Sequence, residues 1–380
     1  MTQQPTNVLL MASSMRGGGS EKQVLLLAQH LDREHFRPHL YLSETHGALL
    51  GRVPDDVPVI GYDRNDHSRG FYVPGEKLRR QTNFLREIIG QHAIDVVYDR
   101  TFHMTLLAGV GASRVRRVAT IVSPPHQAVP FVEQRFVGLK RRRLASAYRH
   151  ANAVVAVSHA AAASAEAYYH LKPGSVIVIP NPFDPASLAT QTITRSKNNG
   201  STSLVCVARM TEEKGHADLI EALTAVNSRW PSSRKPWKIR LIGDGPLRER
   251  LQAHVDRFGL TRQVSFIGAV DPAGEEIAAA DALVLPSRFE GMPNVVLEAM
   301  AVGTPVIATR SGGTAELQAD RPTAFWADPG NPTSLAEAIL QFAHHPDQAA
   351  EQRDTAKRYV LTHHDLRSII KQIEALLGPE

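Results

Sequence analysis

Short runs of aliphatic and β-branched residues alternate with stretches of helical periodicity along almost the whole 380-residue chain, a pattern that confines it to parallel sheets built from βαβ units. In the first half, strands are expected over residues 8–11, 38–42, 94–98, 117–122, 153–157 and 176–179. Between them the pattern turns helical; Val24, Leu27, Ala28 and Leu31 fall on one helical face. A second series is expected over 204–208, 238–242, 264–267, 282–286, 305–308 and 323–326. Residues 183–202 between the two series are polar and aperiodic, as a linker is. The reading is an α/β chain with two doubly wound sheets facing each other across a hinge. Residues 1–182 form the first domain and 203–358 the second, and a helix near 366–377 is expected to cross back onto the first. There is no internal repeat and no low-complexity tract.

Length and composition agree with two buried cores: 380 residues, 43% hydrophobic and 21% charged. No apolar run approaches the roughly 18 residues of a spanning helix. The start of the chain lacks a basic flank before a sustained apolar stretch, so no secretory signal is expected and the location reads as cytoplasmic. The single cysteine, Cys206, excludes an internal disulfide and a cysteine-based zinc cluster, and its apolar surroundings make it a buried structural thiol. A formal net charge of +5 permits attraction to phosphates or anionic lipid. Nucleic acid is not an expected partner.

In open parallel sheets ligands bind outside the carboxyl ends of the strands, so the residues following each strand carry the chemistry. After the strand expected at 282–286 comes Ser287-Arg288-Phe289-Glu290-Gly291-Met292-Pro293-Asn294-Val295, with Glu298 more than one turn inside a helix that Pro293 can open at its first position. Two carboxylates so placed, on a loop and on a helix, can accept hydrogen bonds from two sets of sugar hydroxyls about a pyrophosphate length apart. Backbone N–H groups at the helix start suit an electron-rich ligand.

This stretch resembles the two-glutamate motif, E-x7-E, of the retaining glycosyltransferase family 4, whose fold is the GT-B arrangement of two Rossmann-like domains with parallel sheets facing a central cleft. Glu298-Ala299-Met300, Gly303-Thr304-Pro305-Val306 and Ser311-Gly312-Gly313-Thr314-Ala315-Glu316 stand in register with it. The resemblance implies that Glu290 contacts the transferred sugar and that Glu298 binds the nucleotide ribose. It also implies that the backbone through Gly291, Met292, Pro293, Asn294 and Val295 supports the sugar or the phosphates. Arg209 and Lys214 are similar to the family's R-x4-K-G element, in which the two cations hold the donor diphosphate and stabilise charge on the departing nucleotide. Gly268 and Val270 resemble a loop whose main chain lies near the base. Gly243-Asp244-Gly245-Pro246 also looks like a family loop, and reads equally as a tight turn.

In the first domain, Arg16-Gly17-Gly18-Gly19-Ser20-Glu21 lies between a strand and a helix, where glycines let a phosphate or acceptor approach the backbone. Lys22 occupies the last glycine position of G-x-G-x-x-G, which argues against a dinucleotide dehydrogenase. The loop resembles the family's GG-x-E element and places Gly18 and Gly19 in the cleft, with either one open to touch the donor. His126, after Ser123-Pro124-Pro125, stands where the resembling enzymes have a histidine that hydrogen-bonds the sugar or phosphate.

No Asp-x-Asp pair occurs, so no metal and no cofactor are expected, the cations and helix N-termini replacing a metal's charge. His344-His345 and His363-His364 make poor chelates because neighbours on a helix point about 100° apart, and both pairs are expected at the surface. No carboxylate reads as a nucleophile for double displacement. By resemblance, retention comes from a same-face substitution in which the leaving phosphate takes the acceptor's proton. The nucleotide-sugar donor is read as a UDP-sugar and the acceptor as a saccharide or lipid-linked saccharide of glycan or polysaccharide biosynthesis. Between Arg135 and His150 a basic cluster is combined with apolar spacing at Phe136, Leu139, Leu144 and Tyr148, which suits either peripheral contact with an anionic membrane or packing on the sheet. Residues 71–80 are a second acceptor-loop candidate. Two other readings stay open: an epimerase or phosphorylase on the same architecture, and a non-catalytic nucleotide-sugar-binding subunit.

Overall fold

The computed structural model describes residues 4–63, 75–133, 135–184, 200–270 and 272–378. The chain divides into two compact units, Met1–Pro182 with Leu366–Glu380, and Phe183–Asp365. The first contains strands β1 (Thr6–Ala12), β2 (Phe36–Leu42), β3 (Val59–Gly61), β4 (Val96–Arg100), β5 (Arg116–Ile121), β6 (Ala153–Ala156) and β7 (Ile177–Val178). All pair in parallel, in the order β3-β2-β1-β4-β5-β6-β7. Its helices are α1 (Gly19–His30), α2 (Glu76–Gln91), α3 (Phe102–Gly111), α4 (Pro125–Val132), α5 (Val137–Arg149) and α6 (His159–Tyr169). The second unit contains β8 (Thr202–Val207), β9 (Trp237–Ile242), β10 (Val264–Gly268), β11 (Ala282–Leu285), β12 (Val306–Thr309) and β13 (Phe325–Ala327). These are also parallel, in the order β10-β9-β8-β11-β12-β13. Its helices are α7 (His216–Arg229), α8 (Arg248–Arg257), α9 (Gly274–Ala279), α10 (Asn294–Val302), α11 (Pro332–His344) and α12 (Pro346–His363), and α13 (Leu366–Leu377) follows.

A parallel sheet covered on both faces leaves no solvent side, which is why β1 is apolar at consecutive positions. Val8 and Leu10 pack with α1 and α13, whereas Leu9 and Met11 pack with Leu85 of α2 and Leu107 of α3. Val24, Leu27, Ala28 and Leu31 are buried along α1. On α13, Ile369, Ile370, Ile373 and Leu377 enter the core around β1, so the last helix belongs to the first unit. No helix among the described residues is long and apolar enough to cross a membrane.

Several boundaries differ from the sequence reading, each for a physical reason. Strand β4 continues past Tyr98 through Asp99 and Arg100, which look like surface residues but are buried and partnered. Arg117 Nη2 donates to Asp99 Oδ2 at 2.9 Å, Thr105 Oγ1 to Asp99 Oδ1 at 2.6 Å, and Arg100 Nη2 to Asn181 Oδ1 at 2.8 Å. The edge strand β3 went unread because three residues carry no periodicity. Of the expected linker, 185–199 lie outside the described residues, but its ends are structured. Phe183 is buried and its N–H donates to the His364 carbonyl at 2.8 Å, while Thr202 already begins β8. The second unit runs on to Asp365 instead of ending at 358, because α12 continues with Val360 fully buried and Tyr359 donating to the Glu316 carbonyl. His364 is only 2% exposed, against the surface position expected of it; His344, His345 and His363 are exposed.

The Asp99–Arg117 pair yields a stability prediction. Removing one partner strands a buried charge, so Arg117→Ala is expected to cost the first unit about 3–5 kcal/mol in urea unfolding, far more than the paired Arg117→Met, Asp99→Leu replacement. Equal costs for the two would show that the carboxylate is not held by this arginine.

Candidate active site

In the second unit the strand order reverses between β8 and β11. The chain moves outward from β8 through β9 and β10, then returns to the other side of β8. The loops after β8 and β11 therefore leave the sheet side by side, at the position where open α/β sheets bind ligands. Lys214 and Glu290 meet there across 76 residues of sequence: Lys214 Nζ donates to Glu290 Oε1 at 2.6 Å, and Ser287 Oγ donates to the same oxygen at 2.7 Å. Glu290 is 9% exposed. Its carbonyl accepts from the Gly313 N–H, bringing the loop after β12 to the same place.

Close backbone contact holds the two loops. Lys214 ends a single 3₁₀ turn, Glu212–Lys214, and Gly215 reverses the chain into α7 with φ of +67°. A Cβ on Gly215 would stand 2.0 Å from the Pro286 carbonyl oxygen, so the glycine after Lys214 is required on both counts. The Arg288 N–H donates to the Glu213 carbonyl at 2.8 Å, and the Arg288 side chain makes two bonds to Asp218 on α7, at 2.8 and 2.7 Å. Behind the loop, His216 is 1% exposed and lies 3.8 Å from Cys206 Sγ. Burial, with the nearby Lys214 charge, lowers the His216 pKa to about 4, so the ring is neutral. Burial likewise raises the Cys206 thiol to about 12, which suits a packing residue.

The other residues singled out by the sequence in the second unit distribute as follows. Arg209 follows β8 with its side chain 73% exposed and 3.7 Å from Glu213. Gly291, Met292 and Pro293 are buried, while Asn294, Val295 and Glu298 are half-buried on the first turns of α10. Pro293 is the residue before the helix, not its first position; with ψ of 107° it remains extended, and α10 starts at Asn294. The turn from Gly243 to Pro246 braces the Arg209 loop, since the Met210 N–H donates to Asp244 and the Leu247 N–H to Met210. Gly268 ends β10 with its carbonyl accepting from Gly243, and Val270 beyond it is 38% exposed.

In the first unit the order reverses between β1 and β4. The Gly17–Glu21 turn lies there, but Glu21 Oε2 accepts from the N–H groups of Gly17 and Gly18, and Ser14 Oγ donates to Oε1. The loop's own carboxylate thus takes amides that the sequence reading offered to a phosphate. A Cβ on Gly18 would lie 2.8 Å from that oxygen, so Gly18 serves the turn, while Gly19 is exposed at the first position of α1. His126 is exposed on the first turn of α4, its Nδ1 2.6 Å from Ser164 Oγ of α6. Thr101, at the end of β4, takes φ of 78° and ψ of 153°, a conformation few side chains tolerate. Ser287 and Arg288 head the two-glutamate stretch with no role assigned to them from sequence, and no local pattern marks Asp218, Ser164 or Thr101: Arg288 with Asp218 and Ser164 with His126 act through partners distant in the chain, Thr101 through backbone conformation, and Ser287 through Glu290 three residues on.

The description Glycosyltransferase Family 4 matches residues 17–187, and Glycosyl transferases group 1 matches residues 201–345. The Vi polysaccharide biosynthesis protein VipC/TviE of Salmonella typhi is 30% identical over 165 residues, 42% of this chain. Against several curated relatives the chain spans 28% to 39% of their length. The GDP-mannose-dependent alpha-(1-6)-phosphatidylinositol monomannoside mannosyltransferase of Mycobacterium tuberculosis is 26% identical over 80% of each chain. HepE of Anabaena, solved in complex with UDP and glucose, superposes with a TM-score of 0.77 at 22% identity over 98% of this chain and 99% of that one. The two parallel-sheet α/β units are those of the GT-B fold. Matched in both units by these descriptions, the chain belongs to glycosyltransferase family 4.

Proposed function

We propose that the protein is a retaining glycosyltransferase of glycan or polysaccharide biosynthesis, moving a sugar from a nucleoside diphosphate sugar to a saccharide or lipid-linked saccharide without a metal ion. The observation that carries this reading is the 2.6 Å pairing of Lys214 with Glu290 at the switch point of the second sheet. It joins a cation suited to a diphosphate with a carboxylate suited to sugar hydroxyls. Arg209, exposed and 3.7 Å from Glu213, the residue before Lys214, adds a second cation, and together they offset charge on the departing nucleotide. Glu290 already accepts from Lys214 and Ser287, which blunts it as a nucleophile and favours same-face substitution. In that step the bond from the anomeric carbon to the diphosphate oxygen breaks, the acceptor oxygen bonds that carbon from the same face, and its proton passes to the leaving phosphate. UDP is favoured as the nucleotide; the mycobacterial relative named for GDP-mannose makes GDP the comparison to run.

Peripheral membrane contact is part of the proposal. Along α5, Leu144 and Tyr148 are buried, whereas Phe136 is 79% and Leu139 50% exposed beside the exposed Arg135, Arg142 and Arg143. Val132, 63% exposed, extends the same chain segment. Arg141 is engaged with Tyr168 and His170 and is not counted toward the charge. Apolar side chains among basic ones match an anionic lipid surface, each cation contributing about 1 kcal/mol.

With EDTA present throughout, one of UDP, GDP and ADP is expected to stabilise the protein against heat; stabilisation only after adding Mn²⁺ would refute metal independence. Arg209→Ala and Lys214→Ala should each lower turnover by roughly 10²-fold and weaken nucleotide binding. Glu290→Ala should reduce transfer with a smaller effect on nucleotide affinity, and Glu298→Ala the reverse. Unchanged transfer by both cation variants would sink the diphosphate assignment. In sedimentation with vesicles, phosphatidylglycerol is expected to carry the protein down and phosphatidylcholine not. A Phe136→Glu, Leu139→Glu double variant should stay in solution, and its undiminished binding would exclude this face.

A further inference from the structure

We propose that Arg288 and Asp218 are positioning residues whose paired side chains latch the Lys214 loop to the Glu290 loop and keep the diphosphate-binding cation in register with the sugar-binding carboxylate during donor binding. The inference rests on the donor-site reading above and assigns to it two residues outside the two-glutamate and Arg-Lys-Gly patterns.

The Lys214–Glu290 contact cannot do this alone. It is a single hydrogen bond, and its two groups are those for which a diphosphate and a sugar hydroxyl would compete. Arg288 spans the same gap without offering itself to the donor. Its backbone N–H holds the carbonyl of Glu213, the residue before Lys214, while its Nε and Nη2 meet the two oxygens of Asp218 at 2.8 and 2.7 Å. Asp218 sits on the first turn of α7, four residues after Lys214, with its side chain 10% exposed. A planar fork on a fixed carboxylate sets orientation as well as distance, which a lysine in the same place cannot do. Beneath it, the Pro286 carbonyl occupies the space a Gly215 side chain would need, so the backbones at 213–215 and 286–288 already touch. A small rotation of one loop would carry Lys214 Nζ away from its productive position, and losses of that kind fall on the steps needing both groups aligned.

The test is a double-mutant cycle on nucleotide affinity. UDP, GDP and ADP are titrated calorimetrically into the full chain, and the tightest binder is carried through Arg288→Ala, Lys214→Met and the two combined. If the latch acts through Lys214, Arg288→Ala should weaken binding about tenfold alone but less than about twofold in the Lys214→Met background. Arg288→Lys, which keeps the charge and loses the fork, should fall between Arg288→Ala and wild type. Asp218→Asn, the gentler change, should match Arg288→Ala and serves if the latter does not fold. The same penalty in both backgrounds would mean general structural support and overturns the latch alone. Lys214→Met binding as tightly as wild type, or no binding by any of the three nucleotides, overturns the donor-site reading and the latch with it.

Discussion

The parallel pairing of β8 with β11 is the constraint on which the meeting of Lys214 with Glu290 depends. Leu204 and Val205 lie in register with Ala282 and Leu283, so two segments distant in sequence become neighbouring strands with nothing between them. Their carboxyl ends then deliver Lys214 and Glu290 to one spot. The apolar interior enforces this placement: Leu204, Cys206, Ala282 and Val284 share one core with the inner face of α7 and α11. A slip of one residue in this register would exchange the core and opposite faces of β11 and shift the loop that follows it.

Charge placement follows from that scaffold. Several charged groups that leave water are held by another segment: Asp99 by Arg117 and Thr105, Arg100 by Asn181, Glu290 by Lys214, Asp218 by Arg288. Such pairs add little net stability, because desolvation offsets most of their attraction, but they select one geometry among alternatives that apolar packing would tolerate. In the first unit this fixes the C-terminal end of β4 next to the glycine turn. In the second it ties the loop after β8 and the start of α7 to the loop after β11.

The glycine turn in the first unit illustrates how a motif can keep its shape for a different immediate reason. Its amides converge as they would on an anion, and the anion they meet is Glu21 of the same turn. The Gly17 and Gly18 amides are thereby taken, and the exposed Gly19 stands next to them at the helix start. Helix α5 shows a related ambiguity. Phe136 just before it and Leu139, Leu144 and Tyr148 along it share apolar character, yet Leu144 and Tyr148 are buried while Phe136 and Leu139 are exposed.

Local chemistry along the chain determined the alternation of strands and helices, the division into two cores, the structural character of Cys206, and the placing of Glu290, Arg209 and Lys214 after strand ends, while the roles read for those three rest on the resemblance to the family. These depend on hydrophobic period, turn residues and short spacings, all readable within a few neighbours. Tertiary structure alone decided that Asp99 and His364 are interior, that Phe183 seats in the second unit, and that Arg288 grips Asp218. The physical reason is common to all of them. A polar side chain becomes a core residue or a latch only when folding brings its partner to it, and the identity of that partner is set by which strand ends adjoin, not by any residue nearby in the sequence.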